Sequence, residues 1–245
     1  MVPPRLEASA REAVRGSSAG VSHMRVVIAG GHGKIALRLE RLLAARGDEP
    51  VGLVRDPGHE ADVRAAGAEP VLCDLERTGP GELAEILLGA GAVVFAAGAG
   101  PGSGAARKET VDHRASVLLA DAAERAGVRR FVQISSIGAG EPPPPGSDEV
   151  WAAYINAKTA AEEDLRARPN LNWTILRPGR LTDDKGTGLV TLADVPLSQH
   201  DPVSRDDVAA VVAALLDTPE TRHRVLEVVG GGTPIPLAIR ILLFR

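Results

Sequence analysis

The chain has 245 residues, enough for one large domain with a well-buried core. Hydrophobic residues make up 44% but aromatics only 2%, which excludes the stacking platforms of single-strand nucleic-acid readers; a formal net charge of −4 with both signs interspersed offers no basic block for nucleic acid or an anionic membrane. The lone cysteine, Cys73, cannot close an internal disulfide and no apolar run is long enough to span a bilayer, so a cytoplasmic protein without a membrane partner is expected.

Residues 1–23 are rich in Ala, Ser, Gly, Arg and Pro, lack the apolar core of a signal peptide and read as a flexible tail. From Met24 onward, residues 24–245 read as one domain. Short β-branched runs predict strands over 26–28, 51–54, 71–72, 92–95, 131–134, 173–176 and 225–229. Apolar spacing predicts helices between them over 33–46, 61–66, 83–88, 105–126 and 151–168, with a last one over 206–216. Strands that are short, apolar throughout and separated by helices pair in parallel with both sheet faces covered. The expected fold is therefore α/β: a doubly wound, Rossmann-type parallel sheet of about seven strands. Four consecutive prolines in 141–146 mark an exposed loop, and 183–188 is a polar loop. Segments of about 178–204 and 230–245 are left to form a small substrate-binding elaboration; the apolar ending, 239–245, has no assigned role.

After the first strand comes Gly30-Gly31-His32-Gly33-Lys34-Ile35-Ala36, opening the first helix. That context gives a glycine turn meaning as a phosphate cradle. Gly30 permits the tight turn, Gly33 lets the backbone approach a pyrophosphate, and Ala36 is small where helix and strand pack. The first-turn N–H groups, around Lys34 and Ile35, face phosphate with the positive end of the helix dipole. His32 and Lys34 can add polar contacts, or can be solvated side chains at the loop edge. Arg55, at the end of the second strand, suits a ribose 2′-phosphate and favours NADP(H); Asp56, one residue on, keeps NAD(H) possible. Asp74-Leu75 and Ala96-Ala97-Gly98 follow the third and fourth strands, at the carboxyl ends where ligands sit in open α/β sheets. Asp74 can accept from the adenine amino group or cap its own turn.

Tyr154 and Lys158 lie four apart on a predicted helix and so share one face. Tyrosine alone titrates at about 10; an ammonium beside it favours the phenolate and brings proton transfer toward neutral pH. The lysine can also hold the nicotinamide ribose. The six histidines are scattered and there is no cysteine pair, so no metal site is expected.

Taken in order, the Gly-x-x-Gly-x-x-Ala turn, Asp74-Leu75, Ser135-Ser136, Tyr154/Lys158 and Leu176-Arg177-Pro178-Gly179 resemble short-chain dehydrogenase/reductases over about residues 24–233. The short chain looks like the atypical branch, which includes NAD(P)H-binding epimerase/dehydratase-like proteins, flavin and biliverdin reductases and NmrA-like redox sensors. The resemblance implies that Tyr154 is the general acid/base, that Lys158 tunes it and binds ribose, and that Ser136 (or Ser135) holds the substrate oxygen. Pro178 would lie beside the nicotinamide. Asp112 stands where the superfamily usually carries a structural Asn; an ionised carboxylate accepts but cannot donate.

Three functions are in view: an NADPH-dependent reductase of a small carbonyl-like acceptor, an NAD(P)-dependent epimerase or dehydratase, and a non-catalytic sensor of NADP(H). The expected partner is a small-molecule substrate, and the expected assembly a monomer or homodimer.

Overall fold

The computed structural model describes residues 23–100, 102–198 and 201–244. The tail assigned to residues 1–23 lies outside these, His23 excepted. In chain order the first half runs β1 (Arg25–Ala29), α1 (Lys34–Ala45), β2 (Glu49–Val54), α2 (Glu60–Ala65), β3 (Glu69–Leu72), α3 (Pro80–Leu87), β4 (Ala92–Phe95), α4 (Ala105–Arg107) and α5 (Ala115–Ala126). The second half runs β5 (Arg130–Ile134), α6 (Glu149–Arg166), β6 (Asn172–Pro178), β7 (Leu181–Thr182), β8 (Leu189–Ala193), β9 (Val203–Ser204), α7 (Arg205–Leu216), β10 (Arg224–Gly230), β11 (Thr233–Pro234) and α8 (Ile235–Leu243).

The seven expected strands are present and all pair in parallel, in the order β10-β6-β5-β4-β1-β2-β3. Two more extend the sheet to nine: β8 runs antiparallel to β10, and β11 antiparallel to β8. A separate pair, β7 and β9, lies beside it. Burial on both faces explains the apolar strands. In β1, Val26 and Ile28 enter one core with Leu39 and Leu43 of α1 and the buried face of α7. Val27 and Ala29 enter the other, with Leu83 and Leu87 of α3, Leu119 of α5 and Leu165 of α6. The apolar ending forms α8, whose Ile235, Ala238, Ile239 and Leu242 complete the first core.

Two local features set up the site. β1 pairs with β2 on one side and β4 on the other, with Ala29 level with both Leu53 and Phe95. The chain changes direction there, so the loops after these strands open into one crevice. The helix expected over 105–126 is not α-helical throughout. Lys108–Arg114 form a π-helical stretch between α4 and α5. Such wide turns re-aim side chains and cluster at functional sites. At its far end the helix stops at Gly127, whose φ of +73° supplies the left-handed cap.

Candidate active site and cofactor cleft

Gly30 adopts φ +81°, and a Cβ there would stand 2.7 Å from the Ala97 Cα. Its carbonyl accepts from the Gly33 N–H at 2.8 Å, closing the turn that launches α1. Gly31 is equally constrained: a Cβ would meet the Gly52 Cα at 2.6 Å. The turn is thus glycine because backbone passes over backbone. A cradle that any Cβ would fill, facing a helix N-terminus, fits a dinucleotide pyrophosphate.

Beside it lies a cleft of about 280 Å³. Nine of the expected cofactor residues line it: Gly30, His32, Gly33, Arg55, Asp74, Leu75, Ala96, Ala97 and Gly98. The others lie elsewhere. Lys34 reaches out of the cleft to Asp183, 2.6 Å away, joining the Asp183–Arg205 pair. Ile35 packs against the core. Pro178 is buried at the end of β6, its carbonyl accepting from the Ile137 N–H. Lys158 belongs to the second constellation below. Asp74 accepts from the Glu76 N–H at 3.1 Å, capping its own turn.

Glu76, which sequence reasoning passed over, organises the ribose end. Its carboxylate accepts from Thr110 at 2.7 Å, Arg107 at 2.8 Å and Arg55 at 3.4 Å. The Thr110 hydrogen bond, with the two guanidiniums, holds the Glu76 carboxyl below the usual range, so it is an anion at neutral pH. Arg55 therefore has a cationic neighbour, Arg107, across a shared carboxylate. On the cleft wall His32 and His59 stack with ring centroids 3.6 Å apart, and His32 pairs with Asp62 at 2.8 Å.

The second constellation sits where the π-helical stretch meets α6. Asp148 caps α6 by accepting from the Trp151 N–H at 3.0 Å, which sets the register of Tyr154 and Lys158. Lys158 is buried, donates to the Ile134 carbonyl at 3.3 Å, and holds Asp112 at 3.1 Å. That contact is an ion pair by distance; the Asp112 Oδ1 lies outside hydrogen-bonding angles, while its Oδ2 accepts from the Ala99 N–H at 3.1 Å. Asp112 thereby fastens α6 to the loop after β4. The Tyr154 ring faces two ammonium groups, Lys158 at 5.7 Å and Lys108 at 5.3 Å from its centroid. The two serines separate. Ser135 donates to Glu162 at 2.5 Å, and Glu162 also receives Arg177 in a fork at 2.9 and 2.5 Å. Ser136 is half-buried and donates to the neighbouring Ile137 carbonyl at 3.1 Å. Of the pair, Ser135 is held by a buried carboxylate and Ser136 by a single backbone carbonyl.

Among the described residues there is no cluster of three or more His, Cys, Asp or Glu able to hold a metal ion, and no helix long and apolar enough to cross a membrane.

A family model described as NAD(P)H-binding matches residues 30–219. The uncharacterized sugar epimerase YhfK of Bacillus subtilis is 36% identical over 221 residues, which is 89% of this chain and 100% of that protein. Among solved structures, a Bacillus halodurans protein described as a candidate NAD-dependent epimerase/dehydratase superposes with a TM-score of 0.81 at 33% identity, covering 89% of this chain and 99% of that one. The oxidoreductase ylbE of Lactococcus lactis superposes with a TM-score of 0.78 at 29% identity, covering 91% of this chain and 98% of that one.

Proposed function

Because the chain belongs to the NAD(P)H-binding family, among its oxidoreductase- and epimerase-like members, we propose that it is an NADPH-dependent reductase of a small carbonyl-like acceptor. The observation that carries this reading is the Tyr154 ring with two ammonium groups 5.3 and 5.7 Å from its centroid, on a helix tied by the Lys158–Asp112 pair to the loop at the cleft. The glycine turn and the α1 N-terminus would hold the pyrophosphate, and Arg55 with Arg107 the 2′-phosphate. Bound NADPH supplies a hydride. Tyr154 supplies the proton through its hydroxyl. Lys158 holds Asp112 and lies beside the Tyr154 ring. Ser136 turns its hydroxyl from the Ile137 carbonyl to the acceptor oxygen, while Ser135 stays on Glu162. The working unit is a monomer or homodimer in the cytoplasm, and its partner is the small substrate.

A second reading is an epimerase or dehydratase in which the cofactor is restored at each turnover. It draws on the epimerase names of the B. subtilis and B. halodurans relatives.

The deciding experiment follows NADPH absorbance with a panel of aldehydes, quinones and flavins. Net oxidation is expected, and Tyr154→Phe should cut kcat by about 10²–10⁴-fold while NADPH affinity stays within a factor of two. Product formed without net cofactor change would move the assignment to the epimerase. Tight NADPH binding with no turnover would leave a sensor.

A further inference from the structure

We infer that the acceptor is anionic, a planar unsaturated or aromatic carbonyl compound whose carboxylate is received by Lys108 and whose flat face lies on Trp151. This rests on the reductase reading for the carbonyl, but the anion site stands on its own geometry.

Lys108 is 7% exposed, and a buried ammonium normally has a carboxylate partner. The other buried lysine at this site has one: Lys158 lies 3.1 Å from Asp112. Lys108 has none within ion-pair distance among the described residues. Its one hydrogen bond goes to the Gly100 carbonyl at 2.9 Å, and its other contact is the Tyr154 ring at 5.3 Å. An ammonium has three donors, so two are left.

Three carboxylates of the neighbouring elements have other partners. Glu109 takes His113 and Arg114, Glu162 takes Arg177 and Ser135, and Asp148 caps α6. Lys108, Lys158 and Asp112 together leave one positive charge beside Tyr154. Cofactor phosphate is not the missing partner. Arg107 lines the cofactor cleft and its neighbour Lys108 does not. Consecutive cations thus face different sides, Arg107 the cleft and Lys108 the Tyr154 ring.

The apolar half of the argument is Trp151. The chain has only two tryptophans, one tyrosine and three phenylalanines. One of these scarce rings, Trp151, is left 46% exposed one turn before Tyr154, with centroids 5.5 Å apart. A buried cation and an exposed aromatic ring, both beside Tyr154, match a flat ligand with a carboxylate at one end.

The test titrates the NADP⁺-saturated protein with benzoate and, separately, benzamide, by calorimetry. Benzoate should bind and benzamide should bind at least about tenfold more weakly, the scale of one charge-assisted hydrogen bond. Lys108→Gln should abolish that difference, Lys108→Arg should keep it, and Trp151→Ala should weaken both probes. NADPH affinity, measured alongside, reports an intact cofactor cleft in each variant. In turnover, 4-carboxybenzaldehyde should exceed benzaldehyde in kcat/KM, with the advantage lost through KM in Lys108→Gln. If neither aldehyde is reduced the reductase reading fails, while benzoate binding that depends on Lys108 still supports the anion site. Equal affinity for the two probes, no benzoate binding, or an acid preference that survives Lys108→Gln overturns the inference.

Discussion

Lys158 and Asp112 form an ion pair 3.1 Å apart in which both side chains are almost sealed from water, at 5% and 1% exposure. Removing one partner strands the other charge in a low-dielectric site. Lys158→Met should therefore cost about 3–5 kcal/mol of folding stability. Asp112→Asn keeps the shape and should cost less, and the double variant should recover much of the Lys158→Met loss. Urea unfolding of the four proteins gives the coupling as a double-mutant cycle. Strict additivity would mean that the pair is not the tie between α6 and the loop after β4.

If NADPH is the cofactor, its selection should turn on Glu76. The Glu76 carboxylate occupies Arg55 and Arg107, the two guanidiniums proposed to receive the 2′-phosphate. Arg55→Ala should weaken NADPH by about 10–100-fold and NADH only slightly, the scale of a lost charge-assisted fork. Glu76→Gln removes an anion from beside that phosphate, so NADPH should gain affinity relative to NADH. Since the Glu76 carboxyl is held below its usual range by Thr110 and the guanidiniums, the gain should be constant from pH 6 to 8. Fluorescence titration with both cofactors measures this; equal losses for the two in Arg55→Ala would reject the assignment.

What the sequence revealed and what it concealed follow from how local each signal is. The seven parallel strands and the Gly30 turn were legible because apolar runs and a positive-φ glycine are written in adjacent residues. β8 and β11 were not, because a five-residue strand takes its strand character from β10 and a two-residue one takes its own from β8. α8 was hidden because its apolar residues begin on a Pro-containing turn and pay off only against α7 and β8, so they read as an unexplained ending. The π-helical stretch is invisible in periodicity, since 105–126 has ordinary helical spacing. That Lys108 and Arg107 face different sites likewise appears only in three dimensions. Glu76 escaped notice for the same reason: its partners Arg107 and Thr110 lie 31 and 34 residues away.

The glycine turn carries a second requirement beyond the phosphate. Gly31 crosses Gly52 of β2 so closely that a Cβ on Gly31 would stand 2.6 Å from the Gly52 Cα. Backbone cannot yield as a flexible side chain can. Gly31→Ala should push the turn away from β2, lower stability by roughly 1–3 kcal/mol and reduce the affinity for NADPH and NADH alike. Gly79→Ala, where nothing lies within 4 Å of the added carbon, is the control and should be near neutral. Thermal melts with and without NADPH compare the two; an unchanged Gly31→Ala protein would deny the crossing its role.

Behind that crossing lies Glu40 of α1, fully buried, with neither carboxyl oxygen hydrogen-bonded among the described residues. A Cβ on Gly52 would stand 2.6 Å from its Oε1, so the carboxyl presses on the strand that presses on the phosphate turn. Burial pushes its pKa from 4.5 up to about 8. Below pH 4.5 both the folded and the unfolded chain hold the proton, and the group adds no pH dependence. Between 4.5 and about 8 only the folded chain holds it, so each rise in pH favours unfolding; above about 8 both are ionised and the loss is complete. Stability should therefore fall as pH rises through this window, by at most about 1.4 kcal/mol per pH unit. Glu40→Gln cannot ionise and should be less pH-dependent, overtaking the unsubstituted protein by up to about 4 kcal/mol near pH 8. Urea unfolding of both proteins at pH 5, 6.5 and 8 reads the difference, and parallel stability curves would show that the Glu40 carboxyl finds a partner or a path to water on ionisation.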